Sequence, residues 1–176
     1  DDGIAIGSTA AENDFLLEKN IIGHTGGNGI HLMDITDTEL LAGGTWMFIE
    51  NKINGLGEQG IGSHGILVER FLDAETELQF LYNESHRAQL DGMHLEDVQV
   101  WKLDVYGNLT NNNLDDGLEL VNTSDPNDPL FSVNVDIVDH TSNFNLGDGI
   151  AVQTGNGDLT IIDSVITNNR GDGIDI

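Results

Sequence analysis

The chain has 176 residues, of which 31 are acidic and only 6 are basic, giving a formal net charge of -25. This balance argues against a nucleic-acid partner, since phosphate binding needs a surface of Lys and Arg. Cysteine is absent, which excludes disulfides, Cys-ligated metals and a Cys nucleophile. No apolar run approaches the roughly 18 residues of a membrane-spanning helix, so we expect no membrane insertion.

A short fragment, in which a turn residue and Gly precede two alternating apolar residues, occurs seven times. In chain order the copies are 2–6 (DGIAI), 28–32 (NGIHL), 64–68 (HGILV), 91–95 (DGMHL), 116–120 (DGLEL), 148–152 (DGIAV) and 172–176 (DGIDI). Asn and Asp beside Gly are typical of turns, and the apolar alternation predicts a strand after each turn. Long helical periodicity is absent, so the pattern favours an all-β fold.

A second motif lies between successive copies: two alternating apolar residues, then a small polar residue three positions after the second. The polar residues are Asn20, Asn51, Asn83, Asn108, Asp136 and Ser164. The apolar residues that precede them are Leu17, Phe48, Phe80, Val105, Val133 and Ile161. We expect the apolar set to stack inside the protein and the polar set to form an inward ladder of hydrogen bonds between neighbouring turns.

The irregular intervals between the seven glycines resolve into a unit of 24 residues with insertions, the longest in the second and fifth units. Such a unit is typical of one coil of a β-solenoid, in which each strand pairs with its copy about 4.8 Å away. The sequence therefore predicts a single β-solenoid domain over residues 1–176, with about six coils.

The coils resemble those of the right-handed parallel β-helix proteins of the pectate-lyase-like superfamily. The resemblance is carried by the family's N-x-I-x-x-N-x-G-D-G-I texture, which is best matched by IIDSVITNNRGDGIDI at 161–176. It implies a single-stranded right-handed parallel β-helix. It leaves the function open, because the fold serves polyuronate lyases, hydrolases, epimerases, tailspikes, adhesins and structural stalks.

The outward positions of the Gly-apolar strands carry most of the candidate site residues. His94 is expected one coil from Glu119, and Glu96 one coil from Glu69, with His64 and Asp91 at the preceding turn. A His beside a Glu can act as a general acid or base, and stacked carboxylates either share a proton or bind a cation such as Ca²⁺. The catalytic candidates are therefore His94, Glu96, Glu119 and Glu69, and the metal candidates are Glu69 and Glu96. The ligand-binding candidates are His31, His94 and Trp101.

Two functional hypotheses follow. The first is a non-catalytic extracellular or cell-surface module, in a stalk, adhesin or fibre, that needs no cofactor and binds cations or glycans. A high-salt or marine setting suits its charge. The second is a polysaccharide-active enzyme using the His94, Glu96 and Glu119 face. The scarcity of Arg and Lys disfavours it, because the resembling uronate lyases use such residues as base or charge neutraliser.

The first and last Gly-apolar strands have the same pattern, and neither is flanked by a predicted cap. Bare strand edges recruit other chains. We therefore expect either that the chain is a segment of a longer solenoid or that its strand at 173–176 pairs head to tail with another copy.

Overall fold

The computed structural model describes residues 1–7, 14–36, 44–55, 61–122, 133–153 and 157–176. The regular structure in these ranges consists of β-strands, and they contain no helix that could cross a membrane. The strands are β1 (Ile4–Gly7), β2 (Phe15–Glu18), β3 (Ile21–Gly23), β4 (Ile30–Thr36), β5 (Thr45–Ile49), β6 (Lys52–Asn54), β7 (Ile66–Leu81), β8 (Glu84–His86), β9 (Met93–Tyr106), β10 (Leu109–Asn111), β11 (Leu118–Val121), β12 (Asn134–Val138), β13 (Thr141–Asn143), β14 (Ile150–Gln153), β15 (Leu159–Ile162), β16 (Val165–Thr167) and β17 (Ile174–Asp175).

The strands form two parallel sheets, one of eleven strands and one of six. The larger sheet has two rows. Row A follows the Gly-apolar fragments in the order β1-β4-β7-β9-β11-β14-β17, and row B runs β2-β5-β7-β9-β12-β15. The long strands β7 and β9 belong to both rows. The smaller sheet runs β3-β6-β8-β10-β13-β16. An all-β chain whose strands pair in parallel with their copies is compatible with a parallel β-helix.

Row A has the register that the repeated fragment predicts. Its first inner column consists of Ile4, Ile30, Ile66, Met93, Leu118, Ile150 and Ile174. The glycine of each of the first six fragments is explained by close approach to the backbone of the next fragment. A Cβ on Gly65 would lie 1.8 Å from Ser85 Oγ and 2.5 Å from the Gly92 carbonyl oxygen. A larger residue at this position would therefore push the strands apart.

Row B packs aromatic residues on its inner face. The Phe48 and Phe80 rings stack with centroids 5.1 Å apart, and Phe15 stacks on Trp46 at 4.7 Å. Trp46 is buried. Fully burying a side chain of this size contributes roughly 1.5–3 kcal/mol relative to leaving it exposed, so this column is a major part of the core.

The fifth copy of the row B motif is displaced by four residues from its predicted position. Ile137, and not Val133, pairs with Val105 and Ile161. Asp136 consequently lies on the outer face, and His140 takes the ladder position that the sequence assigned to Asp136. The spacing explains the shift: nine residues separate His140 from Gly149, just as nine separate Asn108 from Gly117.

Two polar ladders lie at the turns. In the first, Asn20 Nδ2 donates to Asn51 Oδ1 at 2.8 Å, and the same amide–amide bond continues through Asn83 to Asn108. His140 and Ser164 occupy the next positions, where the His140 N–H donates to Ser164 Oγ at 3.3 Å. A second ladder, which was not predicted from the sequence, runs through Asn113, Asn145 and Asn169. Because buried amides must be paired, these ladders fix the spacing between repeats.

Candidate functional site

The outer face of row A carries a group of His and acidic residues at its centre. The alternation of β9 buries Met93 and Leu95, so His94 and Glu96 point outward. The parallel register then places Glu119 of β11 beside His94 and Glu69 of β7 beside Glu96. The structure therefore makes neighbours of the two residue pairs that the sequence expected to be adjacent.

The turns before these strands contribute a column of carboxylates. Asp91, Asp116 and Asp148 each precede the Gly of a fragment, and each accepts the backbone N–H of the equivalent residue in the next repeat. Asp91 Oδ1, for example, accepts the Asp116 N–H at 2.8 Å. His64 occupies the equivalent position in the repeat before Asp91. The Asp-Gly turns are therefore structural, and they leave the second oxygen of Asp91, Oδ2, for contacts with neighbouring side chains.

Four side chains meet at this turn, and we call His64, Asp91, His94 and Glu119 the histidine cluster. His64 Nδ1 and His94 Nδ1 each lie 3.1 Å from the same atom, Asp91 Oδ2. Glu119 Oε2 lies 2.7 Å from His94 Nδ1. The two imidazole rings have centroids 4.7 Å apart. His64 Nδ1 is buried and has no hydrogen-bond partner among the described residues, although Asp91 Oδ2 lies 3.1 Å away.

The cluster shifts the pKa values of its members in opposite directions. Burial raises the pKa of Asp91, but its close contacts with His64 and His94 and the hydrogen bond from the Asp116 N–H outweigh burial and lower that pKa well below its usual range. Burial opposes protonation of His94, yet the hydrogen bond to Asp91 and the charges of Glu119 and Asp91 raise its pKa. Burial, with help from the Asp91 charge, raises the pKa of Glu119. Perturbed groups gathered at one place are typical of functional sites.

The other candidate residues of row A lie around the cluster. His31 Nδ1 is 3.0 Å from Asp2 Oδ2, and its Nε2 is 2.7 Å from Glu69 Oε2, so Glu69 faces His31 and not the cluster. Glu96 Oε2 is 3.8 Å from His94 Nε2. Among the described residues, ligand atoms converge in two groups of three, His64–Asp91–His94 and Asp91–Asp116–Glu119. Neither contains Glu69 or Glu96, the pair that the sequence suggested for a metal.

Trp101 lies in β9 at the corner between rows A and B. Its side chain is 65% exposed. The neighbouring strand β7 has a register shift between Asp73 and Glu77 at this point, so three residues of β7 stand opposite Trp101 alone. The exposure suits an aromatic platform, and binding of a ligand by Trp101 stays a prediction.

A depression of about 390 Å³, which was not predicted from the sequence, lies on the outer face of row B. Its residues come from β7, β9 and β12: Gln79, Leu81, Lys102, Asp104, Tyr106, Asp136 and Val138. Leu81, Tyr106 and Val138 stand in register on one side, and Gln79, Asp104 and Asp136 stand in register on the other. The surface is therefore half apolar and half polar. The alternation of inward and outward residues could have indicated this surface, because its residues occupy the outward positions of three adjacent strands.

Lys102 is the central charge of this depression. Its Nζ lies 2.9 Å from Asp104 and 3.8 Å from both Glu77 and Asp136. The hydrogen bond to Asp104 raises the pKa of Lys102, and burial raises the pKa of Asp104 despite that bond. Asp136, expected in the inward ladder, is thus part of an outward network. Next to it the Tyr82 and Tyr106 rings meet edge to face with centroids 5.2 Å apart.

Comparison of the chain with protein-family models, with curated proteins and with solved structures finds no match. The geometry of the histidine cluster and of the row B depression is therefore the basis for a functional assignment.

Proposed function

We propose that this chain is a non-catalytic β-solenoid module of the cell exterior that binds a neutral glycan in the row B depression. In this proposal the fold is a right-handed parallel β-helix of the pectate-lyase-like kind, with about six coils. The observation that carries the proposal is the depression itself, where the Tyr106 ring and two aliphatic side chains face a row of hydrogen-bonding groups across one concave surface.

The chemistry of the depression suits a sugar ring. A pyranose has apolar C–H faces that pack on aromatic and aliphatic side chains, while its hydroxyls need donors and acceptors at the rim. Gln79, Lys102 and Asp104 supply both kinds of group. Asp104 and Gln79 come from adjacent strands, and the Gln79 amide reaches the Asp104 carboxylate at 3.5 Å. The polar side is therefore an ordered set of groups built on a rigid sheet.

The charge of the depression favours a neutral sugar over a uronate. Three carboxylates, those of Glu77, Asp104 and Asp136, surround the single Lys102 ammonium. The local charge is therefore negative, as is that of the whole chain at -25. The negative charges of the depression and of the whole chain would repel a polyuronate. A neutral oligosaccharide carries no charge and is not repelled.

Tyr106→Ala should weaken glycan binding at least 10-fold, because it removes the apolar face against which the sugar packs. The wild type is first screened on an array of neutral and acidic oligosaccharides, and the tightest binder is then titrated by calorimetry. Phe144→Ala is the matched control, since Phe144 is a 57% exposed aromatic residue that does not line the depression. Trp101→Ala measures whether the exposed Trp101 side chain, at the corner between rows A and B, contributes to glycan binding. The proposal fails if neutral glycans do not bind, or if Phe144→Ala weakens binding as much as Tyr106→Ala.

A second candidate function is a polysaccharide-active enzyme, and one observation favours it. His94 Nδ1 lies 2.7 Å from Glu119 Oε2, within hydrogen-bond reach. Its contacts with Asp91 and Glu119 raise the pKa of His94, which favours the protonated form that general acid catalysis requires. Incubation with neutral and acidic polysaccharides, followed by assays for new reducing ends and unsaturated products, separates the two functions. Activity that His94→Ala abolishes would establish the enzyme, and its absence is the result that the binding module predicts.

A further inference from the structure

We propose that His64, Asp91, His94 and Glu119 bind a divalent first-row transition metal ion of the Zn²⁺ class on the outer face of row A. This site is separate from the glycan depression on row B, and neither depends on the other.

The distances between the ligand atoms suit a tetrahedral ion. Zn²⁺ binds His nitrogen and carboxylate oxygen at about 2.0–2.2 Å, so two ligands of one tetrahedral ion lie about 3.3 Å apart. His64 Nδ1 and His94 Nδ1 each lie 3.1 Å from Asp91 Oδ2. The three atoms all lie within 4.8 Å of one another. Glu119 Oε2, which is 2.7 Å from His94 Nδ1, is placed to supply the fourth ligand by a small side-chain rotation.

An unpaired nitrogen gives independent support. His64 Nδ1 has no hydrogen-bond partner among the described residues, although its side chain is only 13% exposed. A buried polar atom without a partner costs roughly 1–3 kcal/mol. A metal ion held between this nitrogen and Asp91 Oδ2 would give His64 Nδ1 the partner that it lacks.

The surroundings of the cluster hold its ligands in position. Asp91 Oδ1 accepts the Asp116 N–H at 2.8 Å, which orients the carboxylate and leaves Oδ2 for the ion. The Nε2 atom of His94 faces Glu96 Oε2 at 3.8 Å. Metal-binding histidines usually present their second nitrogen to a carboxylate or carbonyl oxygen, which fixes the tautomer. Glu96 would have that supporting role here, without binding the ion.

The donor set indicates which metal would bind. Two imidazole nitrogens with two carboxylate oxygens suit Zn²⁺ and related transition metals, whereas Ca²⁺ takes six to eight oxygen ligands. The two carboxylates also balance the charge of a divalent ion. The overlapping group of Asp91, Asp116 and Glu119 is all oxygen and shares two members with the cluster. Competition between Zn²⁺ and Ca²⁺ therefore tests which group binds.

The experiment uses the whole chain after treatment with a chelator and dialysis. Calorimetric titration with Zn²⁺ should give one site, and Co²⁺ should give the visible absorption of a tetrahedral complex. His64→Ala and His94→Ala should each weaken Zn²⁺ binding at least 10-fold and abolish the Co²⁺ band. Circular dichroism verifies that both variants fold. If His64→Ala does not fold, His64→Gln replaces it as a milder variant.

His31→Ala is the matched control, because His31 lies on the same face between two carboxylates but outside the cluster. It should leave Zn²⁺ affinity within 2-fold of the wild type. The proposal is overturned if the wild type shows no stoichiometric Zn²⁺ site, if His31→Ala weakens binding as much as His94→Ala, or if Ca²⁺ displaces Zn²⁺ at equal concentration.

Discussion

Asn83→Ala is expected to lower the free energy of unfolding by about 3 kcal/mol, because it removes the centre of the first asparagine ladder. The Asn83 amide nitrogen donates to the Phe48 carbonyl oxygen at 2.7 Å and to Asn108 Oδ1 at 3.0 Å. Its oxygen accepts both the backbone N–H and the side-chain amide of Asn51, at 3.1 and 3.0 Å. Ala would remove the side-chain partner of the buried Asn51 N–H and leave Asn51 and Asn108 with fewer hydrogen bonds in the ladder. An unpaired buried group costs roughly 1–3 kcal/mol.

Urea denaturation followed by tryptophan fluorescence measures this loss, since Trp46 is buried and reports on unfolding of the core. Asn134→Ala is the matched control: Asn134 is an exposed asparagine at the start of β12, and its substitution should change stability by less than about 0.5 kcal/mol. A loss below about 1 kcal/mol for Asn83→Ala, or equal losses for the two variants, would show that the ladder does not hold the repeats together.

His140→Asn is expected to make the protein less sensitive to acid. His140 stands at a ladder position, is fully buried, and contacts Thr110 Oγ1 through Nε2 at 3.2 Å. Its Nδ1 has no hydrogen-bond partner among the residues that the structure describes. Burial lowers the pKa of His140 from its ordinary value of 6.5 to about 4. Asn at this position would restore the residue type that the preceding ladder positions share.

The direction of the pH effect follows from proton binding. Between pH 6.5 and pH 4 the unfolded chain carries a proton on His140 that the folded chain lacks. Stability is therefore lost as the pH falls through this window. At pH 5 the loss attributable to His140 is about 2 kcal/mol relative to pH 8. Asp116 acts in the opposite direction, because burial raises its pKa to about 6 and so favours the folded state as that carboxyl becomes protonated.

The difference between wild type and His140→Asn isolates the histidine from Asp116 and the other carboxyls. Unfolding free energies of both proteins are measured in urea at pH 8 and pH 5. Relative to the wild type, the unfolding free energy of the variant should be about 2 kcal/mol higher at pH 5 than it is at pH 8. Parallel pH profiles would mean that His140 is not buried in its neutral form, and that the ladder position is occupied differently.

The sequence predicted row A well because each of its strands carries the same signature. A turn residue, Gly and two alternating apolar residues set the start and the inward face of every strand, and the parallel pairs then follow from aligning the glycines. The fifth row B strand was assigned wrongly for a related reason. Val133, Val135 and Ile137 alternate at three consecutive inward positions, so the apolar pattern alone fits more than one alignment. The nine-residue spacing between the ladder residue and the next glycine distinguishes these alignments. It places Ile137 in the inner column and His140 in the ladder.

The sites were harder to predict than the strands. The sequence could pair His94 with Glu119, since outward positions of adjacent strands are neighbours. It could not show that His64 Nδ1 and His94 Nδ1 face the same oxygen of Asp91, because that depends on side-chain rotamers at a turn. The row B depression was missed because the displaced alignment assigned Asp136 to the interior. Once Asp136 is placed outside, beside Asp104, the polar side of the depression follows from the register.

The position of a bound neutral oligosaccharide tests the proposed function most directly. In backbone amide NMR spectra, addition of the tightest array ligand should shift the signals of residues 79–81, 102–106 and 136–138, which surround the depression. The signals of His64, His94 and Glu119 should stay unchanged. Shifts centred on the histidine cluster, or no saturable shifts at either place, would contradict the assignment of glycan binding to row B.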